Sequence, residues 1–475
     1  MELKVYNTHI EVLPYKKDSY PNIENQYTVT DSRSGNKKVL GYLIDKNILY
    51  LPRGTSISYL ERILEIKAEY VNDDDPVEEL PRHDSTFEPR NEVQDDSIKF
   101  LTEDTKQLAL NLSTGTGKTF VSAYSINKLR ERAIIITPNE SLKQQWMATF
   151  RHMIGYTNKC LYNISGTGNM NNILYNNENI DNIRVFFVNH QTLRGFLSAK
   201  GPYELHQFFK KIKVGIKVYD ESHMEFLNIM LIDFFTNTKR TWYLTATFDR
   251  SDKQEAECFK KAFSSVSTFG KIQSEELITP HVIYHNVIIN SMISVKNRAK
   301  LMGYPGFDSH KYGKYSLFED ERDSVYKTIL NILQKTINCE GKVLILVPII
   351  NGVDIIVDKL KKDLPEKTCG AFHSKIPKDE KEDVVKKDII VSTIKSCGTG
   401  RDIKGLRQII CAEPMASRIL LEQTVGRLRP YGENIDTYYW DIVDRSIPGI
   451  NWWHRARMSK IKNIKSVKKV IQLTM

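Results

Sequence analysis

No run of about eighteen consecutive apolar residues occurs anywhere in the 475-residue chain, so a membrane-crossing helix is not expected. Cysteine is scarce. The six thiols, at 160, 258, 339, 369, 397 and 411, stand singly with no CxxC pair, which argues against both a disulfide framework and a zinc site. The opening Met1-Glu2-Leu3-Lys4-Val5 has neither the basic start nor the apolar core of a signal peptide, so a cytoplasmic location is expected. Short-period repeats and low-complexity tracts are absent. So are a nuclease-type metal–acid cluster and a methyltransferase motif, and cleavage or modification of a substrate would need a partner.

What is present is the composition of a globular protein, with 41% hydrophobic and 10% aromatic residues. The length allows two to four domains. The net charge is +10, and from Arg445 to the end there are eight Lys or Arg and no acid. The basic excess is thus concentrated in the tail, and a polyanionic partner is expected there.

Residues 1–80 read as short strands, Lys4–Tyr6, Tyr27–Val29, Val39–Ile44 and Ile48–Leu51, followed by a helix from Ile57 to Tyr70. This is a small β-rich domain, expected to bind nucleic acid, and an acidic, proline-containing linker around Asp73-Asp74-Asp75-Pro76 follows it. Over 87–270 the apolar runs Ala133–Thr137, Arg184–Val188, Val214–Tyr219 and Thr241–Leu244 alternate with helical stretches, the pattern of a parallel α/β sheet. A second series over 326–445 comprises Lys342–Val347, Ile389–Val391, Gln408–Cys411 and Tyr438–Trp440. A connector over 271–325 and a basic tail over 446–475 complete the division.

Leu112-Ser113-Thr114-Gly115-Thr116-Gly117-Lys118-Thr119 stands between an apolar run and a helix-like stretch. Glycines at 115 and 117 let backbone N–H groups close on phosphate oxygens, and the positive end of the following helix faces the same anion. Lys118 is placed to reach the β and γ phosphates, and Thr119 to offer its hydroxyl to magnesium. Leu112 occupies the position where glycine commonly opens the motif. A glycine-rich surface turn is the bland alternative for this stretch alone. Further on, the run Val214–Tyr219 ends in Asp220-Glu221-Ser222-His223. Asp220 at a strand tip suits a magnesium-holding acid, and Glu221 suits a general base for the attacking water.

With these residues in order, the chain resembles the superfamily 2 helicases and nucleic-acid translocases from Phe87 to Val443. The resemblance implies two RecA-like parallel-sheet motor domains, only the first carrying the phosphate loop, with the small N-terminal domain and a basic C-terminal helix. It implies ATP and Mg2+ as cofactors. Arg90 and Gln94 match the adenine-reading pair; Thr114, Gly115, Thr116, Gly117, Lys118 and Thr119 are the phosphate loop. Pro138 and Asn139, within Pro138–Trp146, match a backbone-contacting segment, Gln191 and Thr192 a second such turn, and Thr245 and Thr247 the element that couples hydrolysis to strand binding. In the second series His373 and Thr393 match further strand contacts, and Gly400 and Asp402 a nucleotide-contacting segment. Gln423, Arg427 and Arg429 match the catalytic helix, whose arginine stabilises charge on the γ phosphate. The family's last arginine falls where this chain has Pro430, with Arg429 one position early, which favours Arg427 as the finger. Phe248 stands where many relatives carry proline.

The small N-terminal domain, the minimal motor pair and the Asp441–Arg457 ending are similar to UvsW-type phage branch-migration helicases. That resemblance implies a motor on forked or branched DNA, acting in the bacterial host cytoplasm for a phage-encoded chain; the sequence does not fix the oligomeric state, and a monomer is favoured. RNA as the substrate, a restriction-type translocase subunit, and a nucleic-acid-binding scaffold with an inactive ATP site remain the alternatives. Two segments combine basic and stacking residues. In the connector, Lys296, Arg298, Lys300, Lys311 and Lys314 intermingle with Tyr304, Phe307, Tyr312 and Tyr315, as a strand-contacting insertion or as a solvated connector. In the tail, Lys460, Lys462, Lys465, Lys468 and Lys469 alternate with Ile461, Ile464, Val467 and Val470, whose spacing predicts one apolar helical face.

Overall fold

The computed structural model describes the chain outside 16–22, 24–27, 31–36, 40–41, 45–47, 72–76, 82, 104–106, 113–115, 225, 246–252, 265, 271–279, 304–305, 337, 399–402, 431–435, 462–463 and 475. It divides into two compact units, Met1–Ser274 and Glu275–Met475. Among the described residues no helix is long and apolar enough to cross a membrane.

The first unit opens with β1 (Glu2–Val5) and β2 (His9–Leu13), then β3 (Thr28–Thr30), β4 (Lys37–Val39), β5 (Tyr42–Ile44), β6 (Ile48–Pro52) and β7 (Ala68–Tyr70). Five of these make a mixed sheet in the order β5-β6-β2-β1-β7, while β3 and β4 pair with each other. Leu3, Val5, Ile10, Val12, Leu49 and Leu51 alternate onto one buried face, as the two-residue strand period requires. The helix expected over 57–70 is shorter, Ile57–Leu64. Glu65 adopts φ 54°, and the chain then adds Ala68–Tyr70 as a strand parallel to Leu3–Val5.

This small sheet is not a separate body. Tyr50 packs on Phe234 and Phe235 at centroid distances of 6.1 and 5.3 Å. Ser264 Oγ donates to the Gly54 carbonyl at 2.6 Å, and a Cβ on Gly54 would lie 1.9 Å from the Ala262 carbonyl oxygen. Only glycine permits that approach.

The motor sheet of this unit comprises β8 (Gln107–Asn111), β9 (Ala133–Thr137), β10 (Leu161–Asn163), β11 (Val185–Asn189), β12 (Ile216–Tyr219), β13 (Arg240–Thr245) and β14 (Ser267–Phe269). Every pairing is parallel, in the order β10-β11-β9-β12-β13-β8-β14. The central strands β9, β12 and β13 are buried along their whole length, because helical crossovers cover both faces. Parallel pairing brings the strands' C-terminal ends to one edge. The register Asn111↔Thr245, Tyr243↔Tyr219, Tyr219↔Ile136 and Thr137↔Asn189 then fixes which loops are neighbours.

In the second unit, β15 (Val282–Ile289) precedes the short hairpin β16 (Met302–Gly303) and β17 (Gly306–Phe307). The strands β18 (Lys342–Leu346), β19 (Cys369–Phe372), β20 (Ile389–Ser392), β21 (Leu406–Cys411), β22 (Thr437–Asp444) and β23 (Val467–Thr474) follow. The seven-stranded parallel sheet runs β19-β20-β18-β21-β22-β15-β23. β15 lies within 271–325, expected as connector; its apolar run is buried between β22 and β23.

The tail corrects the sequence reading. A helix covers Pro448–Ile461, but Val467–Thr474 is an edge strand alongside β15, not a continuation of a basic helix. Ile461 and Ile464 are buried, whereas Val470 is 40% exposed, so the four do not share one apolar face. The β-branched Val467, Val470 and Ile471 suit a strand, and the backbone groups of β15 offer it a ladder.

Candidate nucleotide site and strand contacts

The expected nucleotide residues converge at the C-terminal edge of the first motor sheet. β8 ends at Asn111, and the helix Lys118–Leu129 begins at the phosphate-loop lysine. Gly117 caps that helix at φ 97°, and a Cβ there would stand 2.5 Å from Gln94 Nε2, so the position demands glycine twice over. Gln94 is buried, donates to the Thr116 carbonyl at 2.9 Å and accepts from Arg90 N at 2.9 Å. The expected adenine pair is therefore seated against the loop. Lys118 Nζ donates to the Leu112 carbonyl at 2.8 Å. Thr119 follows in the helix's first turn. Thr114 and Gly115 lie outside the described residues.

Asp220 follows β12 directly and is buried. Its Oδ1 accepts from Glu221 N at 2.9 Å and its Oδ2 from the indole Nε1 of Trp146 at 2.8 Å. Burial, reinforced by the neighbouring Glu221 charge, pushes its carboxyl up to about 6, against the opposing pull of Trp146 and Lys118. A buried carboxylate so raised is held ready for a cation. Among the described residues there is no cluster of three or more His, Cys, Asp or Glu able to cage a metal. One carboxylate with the Thr119 hydroxyl fits a magnesium ion that carries phosphate oxygens and waters with it.

Glu221 adopts φ 47°, in the left-handed region. His223 Nδ1 lies 3.3 Å from Glu221 Oε2 and 2.9 Å from Thr245 Oγ1 at the end of β13. One imidazole nitrogen thus lies between the expected general base and the expected coupling threonine. Thr247 lies outside the described residues.

The first-unit strand contacts share the same edge. Asn139 caps the helix Glu140–Thr149 by accepting from Leu142 N at 2.9 Å, with Pro138 just before it. Asn189 precedes the helix His190–Lys200, and Gln191 and Thr192 occupy that helix's first turn. Thr137 Oγ1 donates to Asn189 Oδ1 at 2.9 Å, tying the two turns together. His190 is wholly buried against Tyr219, which pushes its imidazole down to about 3, so it is neutral.

In the second unit, His373 follows β19 and pairs with Asp354 Oδ1 at 3.0 Å. Thr393 follows β20 and its Oγ1 donates to Ser396 Oγ at 3.0 Å. The next amide, Ile394 N, donates at 3.0 Å to Glu413, whose carboxyl burial raises to about 7. Gln423 and Arg427 are nearly buried around the C-terminal end of the helix Arg418–Val425, and Arg429 is more open. Gly400 and Asp402 lie outside the described residues.

The basic–aromatic insertion is anchored, not a free connector. Leu301, Tyr312 and Tyr315 share a small core with Val443, Ile447 and Ile450, and Phe307 meets Trp453 edge-on at 4.9 Å. Tail charge is partly spent internally. Arg457 is buried in an ion pair with Asp441 at 2.6 Å, and Lys468 pairs with Asp436 at 2.8 Å. Arg455, Lys465, Lys469 and the 71% exposed Trp452 remain on the surface.

Trp146, His223 and Glu413 were not assigned roles from sequence. The first two sit inside recognisable motifs, but their partners lie 74 and 22 residues away. An aromatic on a helix defaults to core, and nothing local marks its donor.

Residues 85–250 match the family model of the type III restriction enzyme, res subunit, and residues 324–430 that of the helicase conserved C-terminal domain. The chain belongs to the superfamily 2 helicases. It is similar to transcript termination protein A18 of fowlpox virus, 23% identical over 330 residues, 67% of this helicase and 66% of that protein. The A18 protein of Yaba monkey tumor virus is 26% identical over 356 residues, 68% and 65% respectively. The helicase thus spans just under two thirds of the length of these curated relatives. S. cerevisiae Dbp5 bound to RNA and ADP BeF3 shares the fold, with a TM-score of 0.56, 15% identity and coverage of 81% of this chain and 89% of that one. T4 UvsW aligns over 100% of both chains at 17% identity, but at a TM-score of 0.37, too low to count toward the fold.

Proposed function

We propose that this helicase-type motor uses ATP and Mg2+ to move on DNA and to remodel forked and branched duplexes. The observation that carries the reading is the shared edge of the first motor sheet. Lys118, Asp220, Glu221 and Thr245 stand there beside the helix starts at Asn139 and Asn189, with His223 Nδ1 between base and coupling threonine. Thr116, Gly117, Lys118 and the loop positions Thr114 and Gly115 bind the phosphates. Arg90 and Gln94 orient the base. Thr119 and Asp220 hold magnesium, which when bound neutralises charge on the phosphate oxygens. Glu221 accepts the proton of the attacking water. Gln423 and Arg427, with Gly400 and Asp402, are the second unit's contribution to hydrolysis, and Arg427 acts on transition-state charge. Pro138, Asn139, Gln191, Thr192, Thr245, Thr247, His373 and Thr393 contact the strand.

Branch migration exchanges each broken base pair for a new one and is nearly balanced, whereas plain unwinding must overcome about 1.4 kcal/mol of stacking per step. The N-terminal sheet docked against the first motor sheet suits the balanced task, because a duplex arm held there would move with the nucleotide site. A second reading follows from the two viral relatives, both named transcript termination proteins: the motor would instead strip a transcript from its template. Phosphate release from the purified chain, measured alone and with junction DNA, tailed linear DNA or RNA, tests the proposal. Stimulation strongest with junction DNA is expected; stimulation by RNA alone would favour the second reading, and none at all would remove both.

A further inference from the structure

The helix Glu140–Thr149 touches two parts of the site. Its N-terminal end carries Asn139, an expected strand contact, and seven residues on, about 10 Å along the axis, it carries Trp146. Trp146 is fully buried and its indole stacks near Phe150 at 6.3 Å. A tryptophan has one donor and no acceptor. That single donor is directed 2.8 Å onto Asp220 Oδ2. Filling this space needs only an apolar ring, so the N–H is what packing leaves unexplained.

The helix between these ends is held as a rod. Lys143 is fully buried, pairs with Glu140 Oε2 at 2.8 Å and donates to the Ile164 carbonyl at 3.3 Å. Glu140 also receives Asn189 Nδ2 at 3.5 Å, and Asn189 in turn accepts from Thr137. Both expected backbone-contacting turns therefore bear on the same helix. A carboxylate that accepts one bond from its own neighbour and one from this helix changes orientation when the helix shifts.

We propose that Trp146 is a positioning residue that transmits strand binding at the Asn139 end of its helix to the Asp220 carboxylate. Nucleic-acid stimulation of hydrolysis then passes through the indole N–H bond. The inference rests on the motor reading above.

The test uses the full chain with Trp146→Phe and, separately, a benzothienylalanine in place of Trp146, which keeps the ring outline but replaces N–H with sulfur. Phosphate release is measured with and without single-stranded DNA at saturating ATP and Mg2+, together with DNA affinity. In both variants the ratio of stimulated to unstimulated turnover should fall at least about tenfold, with DNA affinity retained. An unchanged ratio in the benzothienylalanine variant, even with a damaged Trp146→Phe, would assign Trp146 to packing and overturn the inference. Equal losses in both rates would do the same. A parent protein that hydrolyses ATP without any stimulation would instead defeat the motor reading, and the inference with it.

Discussion

Lys118 and Asp220 face each other's charge across the head of the first motor sheet, and each supports a direct prediction. Lys118→Ala removes the side chain expected on the β and γ phosphates, so phosphate release should fall at least about a hundredfold while DNA binding without nucleotide is retained. Normal turnover would withdraw the phosphate-loop assignment. For Asp220 the sign follows from its raised value. The folded protein binds this proton more tightly than the unfolded chain, so ionisation costs stability fully above about 6, and the cost is absent below its ordinary 3.8. A protonated Asp220 cannot hold a cation. Apparent Mg2+ affinity, read by fluorescent-nucleotide binding, should therefore weaken as pH falls through about 6, and Asp220→Asn should flatten that dependence. These two residues were legible because loop, strand tip and acid pair are local patterns. The hydrogen bonds around them, from Trp146 to Asp220 and between His223 and Thr245 beside Glu221, depend on strand order and left no local mark.

Among elements, the helix Arg418–Val425 raises the question of which arginine acts. Arg427 is nearly buried beside Gly426, whereas Arg429 is more open. Arg427→Ala should cut turnover by about a thousandfold or more with little loss of ATP binding, and Arg429→Ala by much less. The reverse order would reassign the finger. The tail shows where sequence periodicity misleads. Apolar residues three apart predicted a helix, but the register that β15 offers makes Val467–Thr474 a strand, because an unpaired edge is a stronger local partner than a weak helical face. Truncation before Trp452 would remove Trp453 from Phe307 and Arg457 from Asp441, so it would report on folding. Neutralising Arg455, Lys465 and Lys469 is the cleaner change. The slope of log affinity for single strands against log salt should drop by about 2; an unchanged slope would make the tail a structural element only.

At the scale of the whole molecule, two parallel α/β sheets were readable from alternating apolar runs, because buried parallel strands are nearly continuous in hydrophobicity. The docking of the N-terminal sheet through Tyr50 and Gly54 was not, since a tyrosine and a glycine in a β-rich segment look the same whether their partner is solvent or Phe234, Phe235 and Ala262. That docking makes the N-terminal sheet part of the first motor body, so duplex gripped there would move with the ATP site. The most direct test is the ATP-dependent strand-release rate on four-way junctions and forks against linear duplexes with one single-stranded tail, in matched DNA and RNA, with Lys118→Ala as control. Release from branched DNA well above that from tailed linear DNA, and abolished in the variant, is the expected result. Equal rates on branched and tailed DNA, or a clear preference for RNA, would contradict the proposed action on branched DNA.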